Sequence, residues 1–110
     1  MGHIRTITKA RTRRDKGYIS FIRQLPCIVC LTLDETAIGP SEAHHQNPKG
    51  HSIMGGKVSS FRCLPLCHHH HIEELHRIGS DSFAARYSLD YEWIIENLNR
   101  IKEELDENNS

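Results

Sequence analysis

The sequence predicts a small α+β domain stapled by a bound zinc ion. Three observations carry that expectation. The chain has 110 residues, 37% apolar and only 6% aromatic, a thin supply for a core that must stand alone, and domains of this size often add a metal or a disulfide. A Cys-x-x-Cys pair, Cys27 and Cys30, is matched some 35 residues later by Cys67-x-x-His70. Short apolar runs of strand length lie among stretches with helical spacing.

Residues 1–15 read as a basic, flexible arm and residues 16–110 as a single domain. Between residues 1 and 26 stand Arg5, Lys9, Arg11, Arg13, Arg14, Lys16 and Arg23 against the single acid Asp15, whereas from Asp81 onward acids dominate. The net charge of zero conceals this gradient. A basic arm is the electrostatic footprint of a surface that meets phosphates; the plainer reading is a solubilising tail. No run approaches the roughly 18 apolar residues of a membrane span, and no apolar leader opens the chain. The expectation is an intracellular protein with no membrane partner, in which cysteines serve as thiolate ligands rather than disulfides.

Tyr18, Phe21, Ile22 and Leu25 recur at helical spacing, and Pro26 ends that helix ahead of Cys27. Cys27 and Cys30 are then placed on a sharp turn, with a polar loop over 31–41. Ala43-His44-His45 is expected as a short strand, and Phe61 to Leu66 as a second. Between them, Asn47, Pro48, Gly50, Gly55 and Gly56 mark a loop that carries Lys49 and Lys57. The run His68 to His71 leads into a helix through His76 that stops near Gly79. Ser80 or Asp81 caps a short helix containing Phe83, Ala84 and Tyr87. The last helix, about Tyr91 to Leu105, carries an apolar stripe of Ile94, Leu98, Ile101 and Leu105, read as core packing.

Two constellations carry chemistry. Cys27, Cys30, Cys67 and His70 have the composition and spacing of a tetrahedral structural zinc site. A competing set replaces His70 with Cys63; His70 is preferred because Cys63 falls within a strand, where it reads as a small buried apolar residue. A nucleophilic Cys67 is disfavoured, since a thiolate committed to zinc is not free to attack.

The second constellation pairs His44 and His45 with His71 and His76. One imidazole of an adjacent pair can ligate a divalent cation while the other takes a proton from water, because imidazole titrates near ~6.5. The ordinary alternative is a surface histidine patch, which suits His68 and His69. Geometry raises a difficulty: five residues of α-helix turn through about 500°, which leaves His71 and His76 about 140° apart. Either the helix starts irregularly after Cys67, or only one of the two, preferably His71, binds metal.

Tyr18-x2-Phe21-Ile22-Arg23-x-Leu25-Pro26-Cys27-x-Val29-Cys30, then Ala43-His44-His45, then Pro65-Leu66-Cys67-x2-His70-His71, with Glu74-Leu75-His76-x2-Gly79 and Phe83-x3-Tyr87, resembles the small phage-associated HNH nucleases related to the recombination-enhancement nuclease Ref. The resemblance spans about residues 16 to 90. It implies a ββα-metal (His-Me finger) core with flanking helices, in which hairpin and helix grip one catalytic ion and a separate zinc holds the hairpin base. It implies His44 and His71 as catalytic-metal ligands and His45 as general base, while leaving open which of His44 and His45 does which. Two departures stand out: Ser60 lies where an Asn or Asp is expected, and His76 is one residue farther from Cys67 than expected.

The function so implied is hydrolysis of DNA phosphodiesters in phage or prophage recombination or processing. The implied cofactors are structural Zn2+ and a catalytic Mg2+, Mn2+ or second Zn2+. Arg11, Arg13, Arg14, Lys49 and Lys57 would hold the DNA backbone in a salt-sensitive way. A recombinase filament is a further expected partner, and the sequence leaves the oligomeric state open. The rival expectation is a zinc-held DNA-binding or recombination-accessory module without catalysis.

Overall fold

The computed structural model describes residues 15–48 and 58–109. Most of the assigned arm, with Arg11, Arg13 and Arg14, lies outside the described residues, as do Lys49 and Lys57.

Helix α1 (Lys16–Arg23) begins where the Asp15 carboxylate accepts the Tyr18 N–H at 2.9 Å, satisfying a donor that the helix start leaves unpaired. Tyr18, Ile19 and Ile22 recur on one face and are buried. After Pro26 the chain does not simply turn. Ile28–Leu33 form a short helix, α2, with Cys27 at its N-terminal boundary, so the loop expected over 31–41 starts later. Val29 is fully buried, and packing that side chain is what winds the segment. Residues three apart share a helix face, which brings Cys27 and Cys30 together.

The following loop is pinned against the end of α1. Ser41 donates its N–H to Arg23 O at 2.8 Å and its hydroxyl to Leu25 O at 2.6 Å. Gly39 is required there, since a Cβ would stand 2.8 Å from Gln24 O and 3.0 Å from Leu25 O. Strand β1 (Glu42–His45) then pairs antiparallel with β2 (Cys63–Leu66), His44 opposite Leu64 and His45 opposite Cys63. The second strand was expected from Phe61, but Ser60–Arg62 form a 3-10 turn and the strand starts at Cys63. All four residues of β2 are buried, because the strand runs between two apolar clusters. Cys63 and Leu64 face Tyr18, Ile19, Ile22, Ile95 and Leu98, while Leu66 packs with Cys27, Val29, Leu75 and Phe83. Burying a leucine of this kind contributes roughly 1.5–3 kcal/mol.

Beyond Cys67, residues His69–Leu75 form a π helix that continues as α3 (His76–Ile78). Gly79, at φ 94°, stops it in a conformation that favours glycine. Helix α4 (Ser80–Tyr87) follows directly, with Gly79 rather than Ser80 or Asp81 at its boundary and no side-chain cap. Helix α5 (Tyr91–Asn108) is capped by Asp90, whose carboxylate accepts the Trp93 N–H at 3.1 Å.

The stripe expected to be core along α5 is core only at its start. Leu98 is buried and Ile94 half-buried, with Ile95, which lies outside the expected stripe, buried as well, whereas Ile101 and Leu105 are 40% and 45% exposed, since the helix continues beyond the elements it packs on. Asn99 joins α5 to the rest, donating to Tyr18 Oη at 2.7 Å and Phe61 O at 3.0 Å. The fold is thus α+β around a two-stranded sheet, and no helix among the described residues is long and apolar enough to cross a membrane.

Candidate metal centres

Cys27 and Cys30 from α2, Cys67 after β2 and His70 on the π helix converge on one point. His70 Nδ1 lies 3.5 Å from Cys27 Sγ, 3.6 Å from Cys30 Sγ and 3.3 Å from Cys67 Sγ, and Cys30 Sγ lies 3.8 Å from Cys67 Sγ. Tetrahedral zinc with Zn–S bonds of about 2.3 Å and a Zn–N bond of about 2.0 Å needs S···S edges of about 3.8 Å and S···N edges of about 3.5 Å. These four of the six edges have the dimensions of a zinc polyhedron, the remaining two lie within 4.8 Å, and the group can hold such an ion. Burial, followed by contact with Cys27 and Cys67, pushes the Cys30 thiol up to about 12. A cation among the sulfurs reverses that balance, because a coordinated thiol is deprotonated outright.

On the far side of the His70 ring, Nε2 stands 4.0 Å from Glu74 Oε1. Hydrogen bonds from the Tyr87 hydroxyl and from Arg86 hold the Glu74 carboxyl below its ordinary range, so it stays ionised behind the ligand. Cys63 stands elsewhere, fully buried in the core around Tyr18 and Ile22, which favours His70 over Cys63 as the fourth donor.

A second group gathers His44 from β1 with His71 and His76, all ligand atoms lying within 4.8 Å of one another. His44 Nδ1 and His71 Nε2 are 3.3 Å apart, close to the N···N edge of about 3.3 Å that two Zn–N bonds of about 2.0 Å imply. The π helix removes the difficulty of the 140° offset. Its hydrogen bonds span five residues instead of four, so residues five apart stack on one side. The same widening absorbs the extra residue between Cys67 and His76, and the His71 and His76 ring centroids lie only 4.6 Å apart.

Burial, partly opposed by the hydrogen bond with Gln46, pushes His44 down from 6.5 to about 4, which leaves its imidazole neutral and able to ligate. His44 and Gln46 are buried, His71 is half-buried and His76 is exposed. The group is closed on the strand side and open on the helix side.

His45 is half-buried and does not join the three-histidine group, as strand alternation requires of the neighbour of His44. His68 and His69 are exposed; they contact Glu42 at 2.8 Å and Glu73 at 3.2 Å. Ser60 is buried, and its hydroxyl accepts the Asp15 N–H at 2.8 Å, tying the 3-10 turn to the start of α1. The sequence did not single out Glu42, Gln46 and Glu74, which contact the rings of His71, His44 and His70 from outside the two groups. For the first two the signal was present as Glu42-x-His44-x-Gln46, the period of one strand face.

Together the fold and the two clusters define a small α+β protein with a four-donor Cys3His site beside a three-histidine group. The chain belongs to the family described as "Protein of unknown function (DUF968)", whose model matches residues 4–102. No curated protein and no solved structure matches it.

Proposed function

We propose that the protein is a metal-dependent DNA endonuclease of the ββα-metal (HNH) class, acting in phage or prophage DNA recombination or processing. The observation that carries the reading is the meeting of His44, from the hairpin, with His71 and His76, from the helical segment that follows it, beside a separate Cys3His group. The two donor sets differ as structural and catalytic sites differ. Four protein donors close a site, whereas three leave a position open for water or substrate; here the open side is that of exposed His76.

On this reading zinc at Cys27, Cys30, Cys67 and His70 ties α2 to the start of the helical segment. His44, His71 and His76 hold the second ion. Three imidazoles suit Zn2+ better than Mg2+ or Mn2+, which prefer oxygen donors. When bound, that ion supplies charge to polarise the scissile phosphate and stabilise the leaving oxygen. His45, outside the ligand group but the last residue of β1, where strict alternation relaxes, acts as general base and takes a proton from the attacking water. Arg11, Arg13, Arg14, Lys49 and Lys57 hold the phosphate backbone.

Nicking of supercoiled plasmid, titrated with Mn2+, Zn2+ and Mg2+, tests the reading. Metal-dependent nicking should vanish in His45→Ala while cooperative melting is kept. Cutting at the wild-type rate by both His44→Ala and His45→Ala overturns the active-site assignment. The rival, a zinc-held DNA-binding module without catalysis, draws on Ser60, which stands where the resemblance to HNH nucleases leads one to expect an Asn or Asp and is committed to Asp15. Salt-sensitive DNA binding with no cutting under any of the three ions would establish the rival.

A further inference from the structure

The three-histidine group is framed on both sides by β1 and its continuation. Glu42, His44 and Gln46 alternate along one strand face. Glu42 Oε1 lies 2.8 Å from His71 Nδ1, and Gln46 Oε1 lies 2.9 Å from His44 Nε2. A carboxylate accepts only, so the His71 proton sits on Nδ1 and the Nε2 lone pair is free. The Gln46 amide nitrogen donates to Asn47 O at 3.3 Å, which keeps its oxygen toward His44 and leaves the His44 Nδ1 lone pair free. Those two lone pairs face each other across 3.3 Å. Such an arrangement is repulsive between neutral rings and favourable around a shared cation.

Glu42 is held in turn. Its second oxygen, Oε2, lies 2.8 Å from Nδ1 of the exposed His68, so the carboxylate is clamped between two imidazoles and its plane is fixed. We propose that Glu42 is a positioning residue for the three-histidine site, setting the tautomer and tilt of His71 so that Nε2 faces the ion, with Gln46 acting likewise on His44. The role extends the metal-site half of the function proposed above and is independent of DNA cutting. Outer partners of this kind typically change metal affinity about 10- to 100-fold.

Titration of the full chain with Co2+ separates the two sites, because thiolate ligation gives a near-ultraviolet charge-transfer band and imidazole ligation does not. The wild type should take two Co2+ per chain. Glu42→Ala should keep the thiolate band and its melting transition but bind the second ion at least about tenfold more weakly. Glu42→Gln, which retains an accepting oxygen without the charge, should recover part of that loss. Unchanged second-site affinity in Glu42→Ala overturns the proposal, as does loss of the thiolate band and of cooperative melting together, which would make Glu42 a structural residue. A wild type that takes only one Co2+ overturns the proposal along with the site. A wild type that takes two Co2+ and cuts no DNA with Mn2+, Zn2+ or Mg2+ removes the nuclease reading and leaves the positioning role standing.

Discussion

His70 and His71 are neighbours in the chain and serve different clusters. His70 Nδ1 lies 3.3 Å from Cys67 Sγ, whereas His71 Nε2 lies 3.3 Å from His44 Nδ1. One short π-helical segment therefore carries a member of each group, and whatever orders one end of it orders the other.

Loss of a cysteine ligand should be felt at both sites. Cys67→Ser is expected to abolish zinc retention, to lower thermal stability by several kcal/mol, and to weaken second-site metal binding although Cys67 does not touch it. Chelator-dependent melting curves of wild type and variant measure the first two effects, and Co2+ titration measures the third.

Cys63 should behave as an ordinary core residue. Cys63→Ala, at a fully buried position, is expected to cost on the order of 1 kcal/mol and to leave one tightly held zinc per chain. Urea unfolding combined with elemental analysis checks both; a zinc-free variant would return Cys63 to the ligand set.

Gly39 sets the entry to β1 by close approach. The methyl of Gly39→Ala would meet the carbonyls of Gln24 and Leu25, which cannot withdraw without disturbing the bonds that Ser41 makes to Arg23 and Leu25. A loss of about 1–3 kcal/mol is expected, read from the urea midpoint.

Arg62 braces the hairpin against α5. Its Nε donates to Gln46 O at 2.8 Å, and its two terminal nitrogens reach the Glu92 carboxylate at 2.9 and 2.5 Å. Arg62→Ala should cost about 1–2 kcal/mol. Arg62→Lys should rescue little, because a point ammonium cannot make the fork and the Gln46 contact together. Denaturant midpoints for the two variants decide this.

Much of the Cys3His group was legible because its signal is local. Two pairs spaced by two residues announce themselves in Cys27, Cys30, Cys67 and His70, and each pair needs only a turn or a helix start to converge. The short strand at Ala43-His44-His45 was legible from its neighbours for the same reason. What escaped depends on departures from ideal periodicity. His76 appeared misplaced because 100° per residue was assumed, and the π helix that brings it to His71 has no signature in the residue types. Ile101 and Leu105 were read as core from spacing alone, yet spacing shows where a stripe runs and not how far the rest of the fold reaches along it. Glu42 looks like an ordinary polar strand residue until His71, 29 positions away, folds against it, and Gln46 looks like one until its side-chain oxygen meets His44 Nε2.

X-ray absorption at the zinc edge of protein carrying one zinc per chain tests the central claim most directly. The account predicts a shell of three sulfurs at about 2.3 Å and one nitrogen at about 2.0 Å. A shell of four sulfurs, or of nitrogen and oxygen alone, would contradict it.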